Sequence, residues 1–75
     1  MKITLQYKGV PKIDKYPSGS VIEVPDKFTV RELISLLEIS KKQHLSVMIN
    51  NQEAWSITRL KENDTVMILG LVGGG

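Results

Sequence analysis

The residues best suited to do chemistry in this sequence are the ones without side chains. It closes on Val72-Gly73-Gly74-Gly75, and the one reactive group such an arm delivers is the Gly75 carboxylate. Three glycines and a valine reach about 10–14 Å at ~3.5 Å per residue. Gly73 and Gly74 would thread a slot only as wide as a backbone, in dihedrals closed to other residues. Ordering the three glycines costs roughly 3–6 kcal/mol, which a partner must recover over an adjoining surface. The bland alternative for the glycines is a frayed terminus or an appended linker.

Little else in the chain competes for a chemical role. At 75 residues it is one domain, near the size at which a single core just suffices, with no room for an internal active-site cleft. No catalytic residue of its own is expected. There is no cysteine, hence no thiolate nucleophile, disulfide or zinc knuckle, and His44 is the single histidine. Neither a metal site nor a bound cofactor is expected. Ten basic residues against eight acidic give a formal charge of +2, and they are scattered from Lys2 to Lys61 with only Lys41-Lys42 adjacent. With only four aromatic residues, this reads as solvated surface rather than a nucleic-acid face. No apolar run approaches the ~18 residues of a membrane span. "MKITLQYKG" alternates where a signal peptide would be continuously apolar, so a cytoplasmic location away from membranes is expected.

The elements that would hold the arm follow from periodicity. "KITLQYK" places Ile3, Leu5 and Tyr7 on one face and polar residues on the other, the period of a half-buried strand. Gly9, Pro11, Pro17, Ser18 and Gly19 mark a long loop, after which "SVIEVP" resumes the alternation with Ile22 and Val24 inward, completing an antiparallel hairpin. In "KFTVRELISLLEIS" the period changes. Val30, Leu33, Ile34 and Leu37 form one helical stripe about three turns long, with Thr29 and Glu32 as a capping box and Phe28 and Leu33 as a hydrophobic staple. Lys41 and Lys42 suit the negative end of the helix dipole. "HLSVMINN" is a third strand closing on a tight Asn50-Asn51 turn, "QEAW" a short fourth, and Asp64 to Leu71 the last, after a polar turn.

A hairpin, a crossing helix and returning strands give an α+β fold of the ubiquitin-like β-grasp type, a mixed sheet of four to five strands packed on one helix. The expected domain is 1–72, followed by a flexible glycine tail over 73–75. If Val66 and Ile68 face the helix, Met67, Leu69 and Leu71 project from the opposite face, joined by Met48 of the third strand. Apolar residues there suit a partner-docking patch, unless the Gly9–Gly19 loop folds over that face or the phase is shifted by one. Trp55 reads as a packing lid and His44 as a surface or core residue, neither with a direct role.

Taken together, several stretches resemble the ThiS and MoaD family of small sulfur-carrier proteins over nearly the whole length. "TVREL" looks like that family's helix start and "VMINN" like its strand and turn. "LKENDTVMI" is similar to its Leu-Lys-(acidic)-Gly-Asp-x-Val-x-Ile turn and strand, and "VGGG" to its terminal glycines. The resemblance implies that the Gly75 carboxylate is adenylated by a ubiquitin-activating-type enzyme using ATP and magnesium. It is then converted to a thiocarboxylate that donates sulfur in cofactor biosynthesis. The implied partners are that adenylating enzyme and a thiazole synthase or the large subunit of molybdopterin synthase, with the carrier itself a monomer when alone. Many molybdopterin carriers have Pro-Pro where this chain has Leu69-Gly70-Leu71, which favours the thiamine branch, while the long Gly9–Gly19 connection is closer to the other. The alternatives are a molybdopterin synthase small subunit, a ubiquitin-like protein modifier, or an interaction domain of this fold with no tail chemistry.

Overall fold

A computed structural model of the chain describes residues 1–10, 13–39 and 44–71. Alternation makes strand β1 (Lys2–Lys8), paired antiparallel with the short β2 (Val21–Glu23) through Ile3↔Ile22. Helix α1 (Val30–Leu36) follows, then β3 (Leu45–Ile49), β4 (Gln52–Ala54) and β5 (Thr65–Gly70). The strands form one sheet in the order β2-β1-β5-β3-β4, with β1 and β5 parallel at its centre and the outer pairings antiparallel. This mixed five-stranded sheet against one helix is the expected ubiquitin-like β-grasp fold.

One face of the sheet makes the core. Ile3 and Leu5 of β1, Val47 of β3 and Val66 and Ile68 of β5 are buried against Val30 and Leu33 of the helix and Leu37 at its C-cap. Val24 and Leu60 close the two sides. Each such side chain contributes roughly 1.5–3 kcal/mol of transfer free energy, and this packing stabilises a seven-residue helix that would not persist alone.

The start of α1 is satisfied completely, as the capping box requires. Glu32 N–H donates to Thr29 Oγ1 at 3.2 Å, and Thr29 N–H donates to Glu32 Oε1 at 3.1 Å. The remaining early donors, Val30 N–H and Arg31 N–H, reach the carbonyls of Thr58 and Ser56 at 3.0 and 2.9 Å. The other end differs from the three turns expected: the helix stops at Leu36, and Glu38 takes a left-handed φ of 56°. The reason lies in packing. At ~100° per residue a continued helix would carry Ile39 opposite the Val30 stripe, whereas the left-handed step turns Ile39 onto the core. Lys41 and Lys42 lie outside the described residues.

The loop after β1 also goes to the core. Val10, Ile13 and Tyr16 pack against it, and Ile13 and Tyr16 meet Leu36, Leu37 and Ile39 at the end of the helix. It therefore lies along the helix side and not over the opposite sheet face.

Asp64, expected to open the last strand, instead precedes it and is buried to 6 % exposure. Its Oδ2 accepts Lys61 N–H at 2.7 Å and its Oδ1 accepts Asn50 Nδ2–H at 2.9 Å, while Asn50 Oδ1 accepts Thr65 N–H at 2.9 Å. Asn50 and Asn51 both adopt left-handed φ, 52° and 68°, making the two-residue hairpin that sets Ile49 opposite Gln52. The Asn50–Asp64 pair thus fastens the β3–β4 turn to the start of β5. Replacing Asp64 by Ala removes two hydrogen bonds to a buried carboxylate and is expected to cost about 1–3 kcal/mol, read as a lower urea midpoint with an unchanged m-value. An unchanged midpoint would show that the pair adds nothing.

Candidate functional site

β5 is the strand from which the glycine arm departs, and alternation gives it two different faces. Val66 and Ile68 point into the core with no exposed surface. Met67 and Leu69, between and beyond them, fall on the outer face and are partly exposed. Register then decides what surrounds them. Met67 lies directly opposite Met48 of β3 and beside Gln6 of β1, and Met48 lies opposite Glu53 of β4. One row of the outer face therefore reads Gln6–Met67–Met48–Glu53. The next row is Lys8–Leu69–Ser46. A small apolar centre of two methionines and a leucine is thereby framed by amide, hydroxyl and charged groups of both signs.

Leu71 is the first residue beyond β5 and is half exposed. Its N–H donates to the His44 carbonyl at 2.9 Å. It also borders an open groove between α1 and the β3–β4 hairpin, walled by Ile34, Leu45, Ala54 and Trp55. The structure thus brings Met48, Met67 and Leu69 together and sets Leu71 at the corner between that face and the groove. Gly73, Gly74 and Gly75 lie outside the described residues.

One reading of a single residue changes, that of Trp55. Trp55 is no lid: it is 65 % exposed, and Ile57 beside it 81 %. The segment is shaped by its backbone, since Trp55 N–H donates to Thr58 Oγ1 at 2.9 Å and the Ser56 and Thr58 carbonyls cap α1. His44 is exposed and enters the site through its main-chain carbonyl, a contact no side-chain motif could signal. Tyr7 faces inward at the end of β1, its buried phenol oxygen making no hydrogen bond among the described residues. Burial, and secondarily Tyr16, raise its pKa above the ordinary tyrosine value, so it stays neutral and offers no base.

Among the described residues no group of three or more His, Cys, Asp or Glu side chains is placed to hold a metal ion. No described helix is long and apolar enough to cross a membrane. What the arrangement can do is present a surface and a chain end.

Compared with known proteins, the chain matches the model of the ThiS family over residues 11–75, from the loop after β1 through the terminal glycines. No curated protein matches the chain.

The two faces of β5 predict opposite responses to charge. Met67→Glu places a carboxylate on the partly exposed outer face and is expected to change stability by less than about 1 kcal/mol. Ile68→Glu buries an unpaired charge and should abolish folding. Circular dichroism melts of both variants check this, and a collapse of Met67→Glu would place Met67 in the core.

Proposed function

The chain belongs to the ThiS family, and we propose that its reactive element is the Gly75 carboxylate, carried past a docking surface formed by Met48, Met67, Leu69 and Leu71. Members of the family are small protein sulfur carriers rather than enzymes, and they work with an adenylating enzyme and a sulfur-accepting one. The observation that carries the proposal is the join between the two parts: the family match runs to Gly75, and the strand before the tail is hydrogen-bonded as far as Leu71.

In the proposed cycle a carboxylate oxygen of Gly75 attacks the α-phosphorus of ATP in the partner's site and pyrophosphate leaves. The acyl-adenylate now has a good leaving group. A sulfur nucleophile at the sulfide level attacks the carbonyl carbon and expels AMP, giving a thiocarboxylate. Its sulfur passes to an acceptor, and hydrolysis restores the carboxylate. ATP and magnesium belong to the adenylating partner, as do the catalytic groups. This chain contributes position: binding at the outer face turns an encounter of two solutes into a near-unimolecular approach of one carboxylate. The work is that of the cytoplasm, where ATP is available.

Of the two acceptor pathways, Leu69-Gly70-Leu71 in place of a Pro-Pro pair, together with the triple-glycine end, favours formation of the thiamine thiazole. With matched partner enzymes the protein is expected to support thiazole formation better than dithiolene insertion into a molybdopterin precursor. Equal or reversed rates would remove the preference and leave the carrier role standing.

The carrier role is tested at the tail. Gly74→Ala should slow ATP–pyrophosphate exchange by the cognate adenylating enzyme without lowering the melting temperature. One uncleaved bulky residue added after Gly75 should abolish exchange. Intact mass of protein purified from its native host should show one oxygen replaced by sulfur. Exchange at the wild-type rate with a blocked tail, trimming excluded by mass, would refute the proposal. Conjugates of higher mass that vanish on deletion of Gly75 would point to a protein modifier instead.

A further inference from the structure

The last rung of the central parallel pair is Lys8↔Leu69, and the residues that follow on each strand are both glycine. They touch through their backbones. A Cβ built on Gly70 would fall within the Gly9 carbonyl oxygen, with Val10 Cγ1 3.1 Å away. A Cβ on Gly9 would lie 2.8 Å from the Gly70 carbonyl oxygen. Gly9 also holds a left-handed φ of 72°, which admits other residues only under strain. The obstruction in both directions is main chain, which cannot swing aside as a flexible side chain would.

On the other flank of the same point, Leu71 N–H donates to the His44 carbonyl at 2.9 Å, and Leu45 pairs with Gly70. The exit of β5 is thus held between the corner after β1 and the entry to β3, by main-chain contacts alone. We propose that Gly9 and Gly70 are positioning residues: their close approach sets the direction in which the chain leaves the sheet, and so aims the terminal carboxylate. The proposal deepens the carrier function and rests on it. A side chain at either glycine forces the two corners apart while leaving the Met67–Met48 row, further back along β5, in place, so a partner would still dock there and the reacting group would arrive misaligned. Misplacement of a reacting group by about 1 Å can lower turnover by as much as 10²-fold.

The discriminating control is built into the fold. Gly19 has a comparable left-handed φ of 92°, yet a Cβ there meets nothing within 4 Å. It bonds to β1 at Leu5, the side of that strand away from β5. Gly19→Ala therefore carries backbone strain without disturbing the exit of β5. The experiment measures ATP–pyrophosphate exchange by the cognate adenylating enzyme against concentration of the full chain, for wild type, Gly9→Ala, Gly70→Ala and Gly19→Ala, with urea unfolding of each. Gly9→Ala and Gly70→Ala are expected to lower kcat roughly 10- to 100-fold with KM within about twofold, and Gly19→Ala to keep both constants despite the stability it loses to its strained φ. If Gly70→Ala does not fold, Gly9→Ala carries the comparison. Unchanged kcat in the folded variants, or a loss that follows stability in all three alike, overturns the positioning role. The wild-type chain with a blocked tail runs alongside. Exchange abolished there, with kcat normal in the glycine variants, removes only this inference, whereas exchange persisting there removes the carrier reading and this inference with it.

Discussion

The parallel pairing of β1 with β5 is the constraint on which the rest of the molecule depends. It joins the first strand to the last, five rungs from Thr4↔Thr65 to Lys8↔Leu69, so the chain between them has to cross back over the sheet. Parallel neighbours need a long crossover, and the intervening helix and β3–β4 hairpin supply it. Further bonds stitch the base of the pair, Thr4 N–H to the Asp64 carbonyl at 2.9 Å and Asn63 N–H to the Lys2 carbonyl at 2.7 Å. The strand that leads to the terminal glycines is consequently flanked on both sides, by β1 and β3.

β5 is apolar on both faces, which its central place in the sheet does not by itself require. A strand with layers on each side reads as a continuous apolar run, and "VMIL" does so. Here only one face has a layer. Val66 and Ile68 are consumed by the helix packing, while Met67, Leu69 and Met48 have strand neighbours but no covering element among the described residues. The long loop, which might have served as that cover, is drawn to the helix side by Ile13 and Tyr16. An apolar centre left uncovered there is what the proposed docking role requires.

What was legible in the sequence was local. Period-two alternation, the Thr29–Glu32 capping box and the Asn50-Asn51 turn are each written within a few residues, and each forms as expected. What was not legible depends on partners distant in the chain. The early stop of α1 follows from where Ile39 must go, at a Glu38 that carries no glycine signal. Asp64 looks like one more polar residue until Asn50, fourteen positions earlier, is brought against it. Trp55 is exposed because its segment serves the helix through carbonyls, and carbonyls have no letter in a sequence. The site shows the same division. The phase of Met67 and Leu69 could be read along one strand, whereas their place in rows with Gln6, Met48 and Ser46 required the register.

That β5 is held as far as Leu71 has an energetic meaning for the proposed carrier role. Every residue that must be ordered when a partner grips the tail costs about 1–2 kcal/mol of backbone entropy, which is a factor of roughly 5–30 in affinity. Were β5 to fray back from Leu71 to Leu69, two more residues would be added to that cost, and the docking surface would lose its fixed relation to the reacting end. Were the held part to extend further, side chains and sheet neighbours would accompany the carboxylate towards the partner's site, where only a backbone is expected to fit. Among the described residues the last main-chain bond runs from Leu71 to the His44 carbonyl. In the proposed carrier cycle, chain held that far spares a partner the entropic cost of ordering it and lets the domain act as a rigid handle.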